Sequence, residues 1–143
     1  MIIWLTANSG AGKTTIGKQL AYRNNGILLD GDDMRASISL GAGFSKEERE
    51  EHNLRVARLA KVMEAQGKLV IVSVIAPFKD TRSKIDKMIC PVWIYLVSAI
   101  RSQPTKERPY QIPGNASLVI DTDMMKPLDA VCMIESQILR KYW

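Results

Sequence analysis

From Asn8 to Thr15 the chain reads N-S-G-A-G-K-T-T. Glycines at alternate positions, then a lysine and a hydroxyl residue, suit a loop that wraps a phosphate. The glycines let backbone amides approach the anion, and a helix starting at Lys13 adds its positive end. Asn8, Ser9, Gly10, Ala11, Gly12, Lys13, Thr14 and Thr15 are therefore candidate contacts for a nucleotide. Lys13 is expected on the β- and γ-phosphates and the Thr14 hydroxyl on Mg²⁺. The pattern G-x-x-x-x-G-K-[ST] begins with glycine, whereas Ala7 stands there. A small residue suffices at that point if its φ is negative.

A second group follows the next apolar run: Asp30, Gly31, Asp32, Asp33, Met34 and Arg35. Two carboxylates near a terminal phosphate divide the work of phosphoryl transfer. One, Asp30, can hold magnesium; the other, Asp32, can orient an acceptor hydroxyl and take its proton. The alternative is structural, since aspartate is also common in turns and at helix N-caps. No N-K-x-D motif for guanine recognition is present, and no apolar run ends in an aspartate beside the loop other than the one at Asp30.

The elements that must position these groups are legible as alternating patterns. Short apolar runs at 2–6, 27–29, 69–75, 92–97 and 117–121 read as strands. Helical periodicity covers 13–23, 46–66, 79–88 and 127–140. Ser45 and Glu48 form a capping box for the second helix, whose apolar stripe is Val56, Leu59, Ala60 and Met63. Residues 98–116 read as loop. Strands alternating with helices imply a three-layer α/β fold, a parallel sheet covered on both faces, in a single domain over 1–143. Ligands in such sheets bind beyond the strand carboxyl ends, where the phosphate loop, Asp30–Arg35 and Ala76–Arg82 all fall.

The bulk composition narrows the classes. With 46% hydrophobic and 24% charged residues the chain is ordinary for a globular protein. No apolar run is long enough for a membrane span and none resembles a signal peptide, so a cytoplasmic location is expected, or the host cytoplasm for a viral protein. His52 is the only histidine, and Cys90 and Cys132 lack metal-ligand spacing, which suits reduced thiols. The net charge of +5 is concentrated between Lys79 and Arg108, where seven bases face three acids. A polyanionic partner and a plain solvated face both fit that distribution.

The stretches SGAGKTT (9–15), LDGDDMR (29–35), GFS (43–45) with Arg49 four residues on, RVARLAKVMEAQG (55–67) and SVIAPFKDTR (73–82) together resemble the adenylylsulfate kinase family. The resemblance runs from Ile3 to about Arg82 and weakly from Tyr110 to Asp121. It implies a five-stranded P-loop NTPase fold, Mg²⁺ with ATP as phosphoryl donor, and an alcohol as acceptor. Carried over by motif, Lys13, Asp30, Asp32 and Arg35 form the catalytic set, with Thr14 and Asp30 on the metal. Arg35 and Arg49 contact the phosphate-bearing part of the acceptor. Phe44 stacks on its base; the alternative for Phe44 is a core anchor. Ile75, Pro77 and Phe78 shape the acceptor pocket. Tyr110 and Pro113 match a P-Y-x-x-P segment near the donor adenine.

The departures lie on the acceptor side. Ungapped alignment puts His52 on a family asparagine that touches the acceptor, so His52 reads either as a further acceptor contact or as a packing residue. Leu54 falls on an arginine, Ala76 on a serine and Asp33 on an asparagine. Where the family has a helical, cation-rich lid, this chain has ten residues, AIRSQPTKER, from which Arg101, Lys106 or Arg108 would have to substitute. A site without that lid leans toward a larger acceptor, the hydroxymethyl group of 5-hydroxymethyluracil in DNA, as used by small kinases of some viruses. The 3′-hydroxyl of adenosine 5′-phosphosulfate, a polynucleotide 5′-hydroxyl and a non-catalytic nucleotide-binding role are the alternatives. Assembly as a homodimer is compatible with the sequence.

Overall fold

The computed structural model describes residues 1–143. Five strands form one parallel sheet: β1 (Ile2–Thr6), β2 (Ile27–Asp30), β3 (Val70–Ser73), β4 (Val92–Val97) and β5 (Leu118–Asp121), in the order β2-β3-β1-β4-β5. β1 is central, and its register pairs Leu5 with Ser73 on one side and Ile94 on the other. Side chains alternate across the sheet. Ile3 and Leu5 therefore pack with Ile16 and Leu20 of α1 (Lys13–Arg23) and Val131 and Ile134 of α5 (Pro127–Ile134). Ile2 and Trp4 face the opposite layer, with Val56 and Ala60 of α3 (Lys46–Glu64) and Ile85 of α4 (Lys79–Ile89). Burial on both faces explains the unbroken apolar runs of β1 and β3. The edge strand β5 differs: of its four residues only Ile120 is buried, because no strand covers its outer side.

Local signals set the helix starts that matter. The Ser45 side chain accepts from the Glu48 amide at 3.1 Å and caps α3. α2 (Gly31–Arg35) is a single short helix capped by Asp30. At the carboxyl end of the chain the expected single helix is interrupted. After Ile134 the backbone widens into a π-helical turn over Glu135–Leu139 before α6 (Arg140–Tyr142). The extra residue lets adjacent Ile138 and Leu139 both reach the core. It also leaves Glu135 against the end of α1, where it accepts from Arg23 Nη2 and Asn24 Nδ2, each at 2.9 Å. No helix is long and apolar enough to cross a membrane.

Candidate active site

The phosphate loop leaves β1 at Thr6. Ala7 is fully buried and keeps a negative φ, so the missing first glycine costs the turn nothing. Gly10 and Gly12 have φ of 90° and 94°, the left-handed region that side chains disfavour. Gly10 is required for a second reason, because a Cβ there would lie 2.8 Å from the Arg101 carbonyl oxygen. Gly12 is the N-cap of α1 and supplies no side chain, so the first amides of the helix remain free for an anion. Ala11 turns its side chain into the core and can offer a ligand only its backbone.

Lys13 lies buried at the start of α1 and its Nζ donates to the Asn8 carbonyl at 3.3 Å. Burial pulls its pKa down to about 8, against the opposing pull of Asp30 and Asp32. An ammonium held this way gains from a phosphate that replaces lost solvation.

Asp30 caps the following helix and at the same time reaches the phosphate loop. Its Oδ2 accepts from the Asp32 amide at 3.3 Å, capping α2, while its Oδ1 accepts from the Thr14 hydroxyl at 2.8 Å. The cap fixes the carboxylate against the phosphate loop. Asp32, one step further, is exposed and its carboxylate has no partner in the protein. Thr14 and Asp30 thus bring two hard oxygens together at the loop. That pair suits Mg²⁺, which takes one or two protein oxygens and completes its shell with phosphates and water.

These groups line one cleft of about 860 Å³, which also takes in Arg35, Phe44, Arg49, His52, Ile75 and Pro77. The donor-side and acceptor-side candidates therefore share a single cavity. Phe44 is 67% exposed, so it is not a core anchor. Its ring lies close to two cations, with Arg35 Cζ at 4.4 Å from the centroid and Arg49 Cζ at 5.7 Å. Arg35 is aimed by Nη1 donation to the carbonyls of Ala42 and Gly43, both at 3.2 Å.

Two expected contacts lie elsewhere. Tyr110 does not border the cleft. Its hydroxyl pairs with Thr6 Oγ1 at 2.7 Å and its ring stacks on Tyr95 with centroids 5.8 Å apart. Burial pushes its pKa up to about 12, as for a structural phenol. Phe78 is also outside the cleft; it precedes α4 and lies under Lys46, whose Nζ is 5.3 Å from the ring centroid. Of Ile75, Pro77 and Phe78, the first two line the cleft.

The cations of 79–108 do not form one stripe. Arg82 is buried and donates to the carbonyls of Ala76 and Gln111 at 2.5 and 2.6 Å. Lys84 pairs with Glu50. Arg101 Nη2 donates to the Thr122 hydroxyl at 2.9 Å. The ten-residue connection instead seals one side of the cleft. Ser102 Oγ donates to the Ser9 carbonyl at 2.6 Å, and Arg49 Nη2 donates to the Glu107 carbonyl at 2.9 Å. Arg101, Glu107, Arg108 and Pro109 line the cavity, and Lys106 does not.

Several lining residues went unnoticed in the sequence. Ser73 ends β3 beside Asp30 and has a buried hydroxyl with no partner. Asn53 donates to the Ile75 carbonyl at 2.9 Å and keeps its Oδ1 free. Neither has a local signature. A second cavity of about 400 Å³ opens on the other side of Gly12 and Thr15, between Arg101 and the 122–127 segment.

A parallel sheet in the order β2-β3-β1-β4-β5, with a glycine loop after its central strand and a helix-capping carboxylate at the end of β2, defines a P-loop kinase. Residues 1–99 match the family model described as adenylylsulphate kinase. An adenylyl-sulfate kinase of Clostridium kluyveri is 32% identical, over 97% of this chain and 81% of its own. A probable adenylyl-sulfate kinase of Pyrococcus abyssi is 34% identical, over 87% of each chain. The Mycobacterium tuberculosis APS kinase CysC, solved in complex with AMPPNP and APS, superposes with a TM-score of 0.87. It covers 96% of both chains at 21% identity, a likeness of fold. The chain belongs to the adenylylsulphate kinase family. It is a phosphotransferase that uses an alcohol as acceptor, with ATP as its donor.

Proposed function

We propose that this protein transfers the γ-phosphate of ATP to the 3′-hydroxyl of adenosine 5′-phosphosulfate. The observation that carries the reading is the shared cleft. The phosphate loop and the Asp30/Asp32 pair line it together with Arg35, Arg49 and the exposed ring of Phe44. Two arginines and an aromatic face suit a small molecule with an anionic group and a purine.

In this reading the amides of the loop and Lys13 hold the β- and γ-phosphates. Asp30 and Thr14 would hold Mg²⁺, which would supply positive charge to offset that of the phosphates. Asp32 orients the acceptor hydroxyl and takes its proton. The hydroxyl oxygen bonds to the γ-phosphorus while the bond to the β-phosphate oxygen breaks, and ADP leaves. The reaction is mostly positioning and electrostatics, which suits a preformed cleft.

The relatives named above support this acceptor rather than the DNA base toward which the sequence leans. The dispersal of the 79–108 cations removes the continuous basic track that a DNA acceptor would use. The test is to supply γ-labelled ATP with adenylylsulfate, hydroxymethyluracil DNA and 5′-hydroxyl DNA in separate reactions. Label is expected with adenylylsulfate alone, and label only in a DNA reaction would reverse the conclusion. Asp32→Ala is expected to lower kcat about 100-fold or more, with ATP affinity within a few-fold of the parent.

A further inference from the structure

One buried hydroxyl in the cleft wall is not used by the chemistry above. Ser73 ends β3, is 2% exposed, and its Oγ has no hydrogen-bond partner in the protein. β3 runs between β1 and β2, and Ser73 stands in register with Leu5 on one side and Asp30 on the other. Leu5 packs toward α1, and residues in register share a face of the sheet, so Ser73 and Asp30 face α1 as well. Gly17 of α1 lies against the serine: a Cβ there would be 3.3 Å from Ser73 Cβ and 3.5 Å from its Oγ. Thr14 is one turn earlier on the same helix face, about 4.5 Å nearer the helix start. Its hydroxyl already reaches Asp30 Oδ1 at 2.8 Å. Ser73 thus stands beside the Thr14–Asp30 pair, lines the same cleft, and bonds to neither residue. A buried hydroxyl without a partner costs stability, which points to a partner supplied by what the cleft binds.

We propose that Ser73 is a positioning residue for the metal: its Oγ accepts from a water of the Mg²⁺ shell and, with Asp30, fixes where the ion sits at the phosphate loop. Mg²⁺ bound through one or two protein oxygens keeps several waters, and those waters are strong donors. A serine oxygen has lone pairs to accept from one of them. The offset of one helical turn from Thr14 suits an intervening water rather than direct ligation. No carboxylate ends β3, so the serine orients the shell without adding charge, and Asp30 on the neighbouring strand supplies the charge. The proposal rests on the magnesium site of the reading above and not on the identity of the acceptor.

Mn²⁺ stands in for Mg²⁺ in the test. Its binding is followed by electron paramagnetic resonance in the complex with a non-hydrolysable ATP analogue, with no acceptor present. Ser73→Ala is expected to weaken Mn²⁺ binding about tenfold, as for loss of a group that holds a metal's ligand. Affinity for the analogue in EDTA is expected to match the parent. The Tm of the metal-free variant is expected at or above the parental value, because the substitution removes a buried group that has no partner. Unchanged Mn²⁺ affinity, or an equal loss of analogue affinity in EDTA, overturns the proposal. A lowered Tm with parental Mn²⁺ binding makes Ser73 a packing residue and overturns it too. Ser73→Cys keeps nearly the same shape but accepts poorly, so it should also weaken Mn²⁺, and it decides the matter if Ser73→Ala does not fold. A gain of Cd²⁺ affinity in Ser73→Cys over the parent would put the side chain on the ion itself and refute the intervening water. A parent complex that binds no Mn²⁺ removes the magnesium site and this proposal together. Phosphoryl transfer to DNA in place of adenylylsulfate removes only the acceptor reading, and the Mn²⁺ result stands.

Discussion

Arg49, in the first turn of α3, donates Nη2 to the Glu107 carbonyl across the mouth of the cleft at 2.9 Å. Its Nε is buried without a partner. One side chain thus ties the short 98–109 connection to α3 and keeps a spare donor inside. An anionic acceptor reaching Arg49 would satisfy that donor. Arg49→Ala is expected to raise the acceptor KM roughly 10- to 100-fold, the range for a hydrogen bond to a charged group. Amide exchange across 101–109 should quicken in the same variant. Unchanged exchange would show that the connection is held by its other contacts alone.

The three cations of the connection are not equivalent. Arg108 lines the cleft, has no side-chain partner, and is set in a turn where its amide donates to Thr105 Oγ1 at 3.0 Å. Arg101 is occupied by Thr122 and borders both cavities. Lys106 borders neither. Arg108→Ala is expected to lower kcat by about tenfold or more, as for a lost transition-state cation. Arg101→Ala should act mainly on the KM for ATP, and Lys106→Ala should stay within about twofold. Steady-state kinetics with each substrate varied separates the three. Equal losses from all three would mean that the loop acts only through net charge.

Lys13 sets a basic limit on activity. Its pKa of about 8 in the free protein lies below the ordinary lysine value because burial outweighs Asp30 and Asp32. The charged form binds phosphate, so kcat/KM for ATP should fall as pH rises through about 8. Bound phosphates favour the ammonium, so the corresponding limb in kcat should lie at higher pH. Coincident limbs in the two profiles would assign the titration to another group.

Gly10 joins the phosphate loop to the short connection. A Cβ at this residue meets the Arg101 carbonyl at 2.8 Å, and the φ of 90° is strained for alanine. Gly10→Ala is expected to cost about 1–3 kcal/mol of stability and to weaken ATP binding. Thermal unfolding with and without ATP measures both. A variant with parental Tm would place the strain elsewhere.

Much of the site could be read along the chain because its parts are local. The amides, Lys13 and Thr14 follow one another in one loop, and Asp30 caps the helix that starts next to it. Strand alternation likewise follows from apolar runs of two periods. The stripe of α3 placed His52 on an inward face, where it is found with Val56 and Ala60.

The rest depends on residues far apart in sequence. Tyr110 bonds to Thr6 and Arg82 to the Gln111 carbonyl, so a tyrosine and a cation that look available are used to anchor the loop. The widened turn at Glu135 answers to Arg23 and Asn24, which no local pattern announces. By itself the sequence determined the phosphate loop, the paired carboxylates and the layered sheet, since backbone geometry and periodicity act over a few residues. Only the tertiary structure decided which cations face the cleft and that His52 meets the Ser39 hydroxyl. Those outcomes depend on partners that a buried polar group finds across the fold, because leaving it unpaired is costly.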